Sequence, residues 1–109
     1  MSDLQPMDSS SFDPYHKLLG ISRKDQPPTY YRLLGVERFE GDLDVIDAAA
    51  DKQMAYLQGC RNGEHAVEAE RLLDEVSEAR LRLLNPESKR RYDQQLQTLS
   101  ALRGGRHGD

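Results

Sequence analysis

An all-α fold is predicted, built as an antiparallel helical hairpin with short flanking helices. Three observations predict it. No stretch alternates apolar and polar residues long enough to be a strand. Two long segments carry apolar residues at helical spacing. Between the candidate helices stand Pro27-Pro28, Gly59, Gly63 and Asn85-Pro86, residues that stop or start helices.

The elements follow in chain order. Tyr15-His16-Lys17-Leu18-Leu19-Gly20-Ile21 and Tyr31-Arg32-Leu33-Leu34-Gly35-Val36 echo one another. Each reads as a turn of helix closed by a glycine able to take positive φ. Thr29 is placed to cap a helix over Tyr30–Leu34. After the loop Val36–Gly41, Asp42 or Asp44 caps a longer helix. Its apolar stripe is Ile46, Ala49/Ala50, Met54 and Leu57. Cys60-Arg61-Asn62, bracketed by Gly59 and Gly63, reads as the connection. A third helix is expected from near Glu64 to about Leu84, with Val67 or Ala69, Leu73, Val76, Ala79/Arg80 and Leu83 facing inward. Asn85 then caps a last helix with Pro86 at its first position, fraying beyond Leu96 or Leu99. Tyr30, Tyr31, Tyr56 and Tyr92 are expected in core or rim packing rather than as a stacking platform for bases.

The organisation that follows is a disordered tail over 1–11, a docking segment over 12–28, a helical domain over 29–97 and a flexible tail or linker over 98–109. Phe12, Tyr15, Leu18, Leu19 and Ile21 motivate the docking segment, because such a cluster is costly to leave in water.

Composition narrows the function. The chain has 109 residues, of which 37% are hydrophobic, enough for a small core but not for a deep substrate pocket besides. An enzyme is therefore not expected. A net charge of −4 and a pI near 5.3 speak against unassisted nucleic-acid binding. No apolar run approaches a membrane span, and Cys60 is the sole cysteine. A cytoplasmic location is expected. Charge is unevenly spread: residues 29–85 hold 7 basic and 12 acidic side chains, and residues 86–109 hold 5 and 3. Two surfaces are candidates for binding a partner, the basic run Lys89-Arg90-Arg91 and the acidic row Asp44, Asp47 and Asp51. For both, a solvated surface is the competing reading. Cys60, Glu64, His65 and Glu68 lack the further ligands of a metal site, and a Cys60–His65 pair lacks an orienting group. No Walker or Rossmann glycine motif occurs, and no cofactor is expected.

Thr29-Tyr30-Tyr31-Arg32-Leu33-Leu34-Gly35-Val36 resembles the Asp-Tyr-Tyr-x-x-Leu-Gly-Val opening of J-domains, the DnaJ-type co-chaperone module. Asn85-Pro86-Glu87-Ser88-Lys89-Arg90-Arg91-Tyr92-Asp93 is similar to that family's Asp-Pro-x-x-Arg-x-x-Tyr-Asp stretch. The resemblance covers roughly residues 29–95 and implies a J-domain-like hairpin. J-domains carry His-Pro-Asp in the loop after their second helix, where it is central to stimulating ATP hydrolysis by a DnaK-class chaperone. Here Gln58-Gly59-Cys60 stand at those positions, and Asp42–Gln58 holds four aspartates and one lysine where the family's helix is usually basic. Phe12–Pro28 resembles an extra segment preceding the J-like hairpin in a bacterial variant of this module. The expected function is thus a non-catalytic protein-interaction module, docking a protein partner or a downstream domain of a larger chain. The alternative is an active co-chaperone regulating a DnaK-class ATPase through a non-standard loop.

Overall fold

The structure, a computed structural model, describes residues 12–104. Expectations about residues 1–11, about 105–109 and about His107 lie outside them. The described chain is all-α: α1 (Pro14–Leu19), a 3-10 turn (Arg23–Asp25), α2 (Tyr30–Leu34), α3 (Leu43–Cys60), α4 (Ala66–Leu84) and α5 (Pro86–Gly104). No strand occurs among the described residues.

Helix ends are set by local chemistry. Asp13 caps α1 with Pro14 at the first helical position, and Gly20 closes it at φ 70°. The Thr29 hydroxyl accepts from the Arg32 amide, and Gly35 closes α2 at φ 81°. Asp42 caps α3 through the Asp44 amide. Asn85 Oδ1 accepts from the amides of Glu87 and Ser88, both at 3.0 Å, and starts α5.

Helices α3 and α4 form the antiparallel hairpin. Arg80, late in α4, reaches Asp47 early in α3, and Arg61 just after α3 reaches Glu70 early in α4. Ile46, Ala50 and Leu57 of α3 are buried against Leu72, Leu73, Val76, Ala79 and Leu83 of α4. Tyr31, Leu33 and Leu34 of α2 close one end, with Ile21 and Leu96 completing the core. Each of these large side chains, fully buried, contributes roughly 1.5–3 kcal/mol of transfer free energy.

Residues 12–21 pack along α4. Ile21 is completely buried, the Tyr15 hydroxyl donates to Glu75 at 2.7 Å, and the Phe12 ring stacks on His65 at 3.9 Å. Asp13 also accepts from the Gln26 side chain at 2.8 Å, folding the segment back on itself.

Four local expectations need correction. Helix α3 continues through Gly59 to Cys60, so the connection is Arg61–His65 rather than Cys60–Asn62. Intrahelical hydrogen bonding at the end of an 18-residue helix outweighs a single glycine's low propensity. Helix α4 starts at Ala66, not near Glu64, because a turn from the Cys60 carbonyl to the Gly63 amide (3.1 Å) delays it. Val67 therefore falls in the first turn on the outer side, 72% exposed, and the inward stripe begins at Ala69. Helix α5 runs to Gly104, past the fraying expected near Leu96 or Leu99. Tyr56 lies 51% exposed, outside the core.

Candidate functional site

The residues that drew attention in sequence do not assemble into one site. Successive helical residues are turned by about 100°, so three in a row cannot share a face. Lys89 points inward, its Nζ 2.9 Å from Asp93 and 5.5 Å from the centre of the Tyr31 ring. Arg91 pairs with Glu87 at 3.1 Å on the solvent side, and Arg90 is exposed. The basic run is thus three side chains with three surroundings.

The acidic row also divides. Arg80 lies 2.6 Å from Asp47 and 3.6 Å from Asp51, bridging the two hairpin helices. The Asp47 Oδ1 contact is close but poorly directed, so that oxygen has no well-aligned hydrogen bond. Asp44 stands exposed in the first turn of α3, where its charge suits the positive end of the helix. Two of the three acids are therefore spent on an internal cross-link.

Gln58, Gly59 and Cys60 occupy the last turn of α3, with Gln58 and Gly59 exposed and Cys60 half-buried. The Tyr56 phenol, one turn earlier, is raised from its ordinary value chiefly by its neighbour Cys60. His65 stacks on Phe12 and approaches Glu64 at 3.3 Å. Among the described residues no three His, Cys, Asp or Glu side chains converge as metal ligands would. Nor is any described helix long and apolar enough to cross a membrane.

What the structure does bring together is a fastening that joins α2 to α5. The Tyr92 hydroxyl accepts from the Tyr30 amide at 2.8 Å, satisfying a free N–H at the start of α2. The Tyr31 hydroxyl donates to Asp93 Oδ1, while Lys89 holds Asp93 Oδ2. The rings of Tyr30 and Tyr92 lie 4.5 Å apart, and Phe39 meets Tyr31 edge-on at 6.0 Å. From α3, the Gln53 side chain donates to the Leu33 carbonyl at 2.7 Å. Burial first, then hydrogen bonding to Asp93, pushes the Tyr31 phenol well above its ordinary value. Tyr15 is pushed up to about 12 by burial and by Glu75.

Beside this fastening an open cleft of about 640 Å³ lies between the 3-10 turn, α2 and α5. Lys24, Arg32 and Arg38 flank it, and Leu96 and Leu99 contribute from α5. Sequence reasoning missed this grouping because its members are scattered between positions 24 and 100. One signal was available: Leu99 and Leu102 extend the spacing of Leu96, yet the helix was expected to fray there.

Compared with family models, characterised proteins and solved structures, the chain has no match.

Proposed function

We propose that this chain is a non-catalytic protein-interaction module with a degenerate J-domain-like fold. The observation that carries the reading is the contrast between two sets of residues within the resemblance. Tyr30, Tyr31, Tyr92 and Asp93 make buried or half-buried contacts that hold α2 against α5. Gln58-Gly59-Cys60, at the positions where a J-domain carries His-Pro-Asp, offer no imidazole, no carboxylate and no proline-fixed loop.

Electrostatics support the same reading. The stretch from Asp42 to Leu84 carries 10 acidic and 5 basic side chains, an unfavourable sign for a partner adapted to a basic second helix. Mismatched charge lowers the association rate and costs complementarity at contact.

The test is single-turnover ATP hydrolysis by a DnaK-class chaperone with the purified chain added. The rate is expected to stay at its basal value. A several-fold stimulation would overturn the proposal and favour an active co-chaperone.

A further inference from the structure

We infer that the cleft between α2 and the second half of α5 is a docking site for an acidic amphipathic helix of a partner protein. The inference rests on the interaction-module reading and gives it a surface and a partner chemistry.

Two independent observations carry it. The first is an apolar stripe that outruns the core. Tyr92, Leu96, Leu99 and Leu102 follow one another along α5 at steps of four, three and three. Tyr92 is half-buried and Leu96 is only 8% exposed, whereas Leu99 is 54% and Leu102 68% exposed. The helix continues to Gly104 with its apolar residues in register, but from Leu99 onward more than half of each leucine is left uncovered by the described residues. An amphipathic helix buries such a stripe against another element, and the geometry beside a bare helix flank suits a second helix laid alongside.

The second observation is charge. Among the described residues, three cations and one acid line the cleft. The acid, Asp25, sits 3.6 Å from the Arg32 guanidinium. Arg38 donates to Ser100 on α5 at 3.0 Å, which holds its charge at the cleft edge near Leu99. Lys24 is exposed and has no ion pair among the described residues. A partner with leucines flanked by glutamates meets an apolar floor and a positive rim at once. A basic helix meets the same floor with like charges, which is the disfavoured arrangement. The exposed flank spans only about two helical turns, so the contact belongs to the small, transient class.

The test uses the full chain and a fluorescent synthetic peptide of about 20 residues, long enough to populate helix. Leucines stand at helical spacing and glutamates flank them; a twin carries lysine at every glutamate. Saturable binding is expected for the glutamate peptide, with affinity weakened about tenfold or more for the lysine twin. Similar losses, about tenfold, are expected in the Leu99→Ser and Lys24→Glu variants. Both positions are exposed, and an unchanged thermal midpoint confirms that each variant is folded. Equal affinity for the twins, unchanged affinity in the variants, or no binding at millimolar peptide overturns the inference. So does sedimentation showing a dimer that Leu99→Ser dissolves, since the occupant is then a second copy. Stimulation of a DnaK-class ATPase would instead remove the reading on which the inference rests, without altering the titration.

Discussion

The two ends of the α3–α4 hairpin are held by different physics. At the end covered by α2 and α5, aromatic rings and hydrogen bonds interlock in a half-buried setting: Tyr30, Tyr31, Tyr92, Asp93 and Lys89 all find partners there. At the turn end, Arg61–His65, the fastenings are an exposed Arg61–Glu70 pair at 3.0 Å and the Phe12–His65 stack. Contacts of the first kind exclude water and are strengthened by it, while an exposed pair is screened and contributes little. The chain thus concentrates its interlocking contacts where α2 meets α5. The turn end, beside Gln58-Gly59-Cys60, has Leu57 and Ala69 buried but carries fewer aromatic and polar fastenings.

Truncation at both ends breaks this comparison most sharply. Tyr31→Ala removes a side chain 1% exposed, together with its hydrogen bond to Asp93, and is expected to cost about 3–5 kcal/mol by urea denaturation. Phe12→Ala should cost about 1 kcal/mol, the worth of an aromatic pair at a half-buried site. Equal losses would show that the ends are fastened alike.

Alkaline pH sharpens it next. The phenols of Tyr15, Tyr31 and Tyr92 are all raised, chiefly by burial. The unfolded chain therefore releases these protons first, near pH 10, while the folded chain still holds them. Their contribution is complete below pH 10 and declines above it, for Tyr15 through about pH 12. Thermal midpoints should fall across that window, and the fall should be shallower in Tyr31→Phe. A flat profile would mean that the phenols are not held neutral by the fold.

The smallest effects belong to the ion pairs. Arg80→Ala should cost no more than about 1 kcal/mol, because Asp47 and Asp51 keep 44% and 66% of their side-chain surface in water. Arg61→Ala should cost less than about 0.5 kcal/mol, both partners being at least half exposed. A larger loss for Arg61 than for Arg80 would reverse the proposed order of the two ends.

Much of the fold was legible because it is local. Thr29, Asp42 and Asn85 cap helices through side chains within three residues, and Ile46, Leu57, Leu73, Val76 and Leu83 fall inward by helical spacing alone. The burial of Ile21 was legible too, since it belongs to an apolar cluster that has to be covered. What was not legible depends on how helices lie against each other. Tyr30–Tyr92 and Tyr31–Asp93 each join residues 62 apart, and no spacing rule predicts those partners. Arg80's hold on Asp47 and Asp51 likewise requires the register of the hairpin. That Lys89, Arg90 and Arg91 have three different surroundings was legible, since helical geometry separates adjacent residues around the axis.

Amide hydrogen exchange tests the contrast between the ends most directly. Amides of Leu33 and Leu34 in α2 and of Tyr92 to Leu96 in α5 are expected to exchange only through global unfolding, as slowly as those of Leu72 to Val76 in the core. Amides from Arg61 to Ala66 should exchange orders of magnitude faster, through local opening. Equal protection at both ends, or slower exchange at the turn than in α2, would contradict the account.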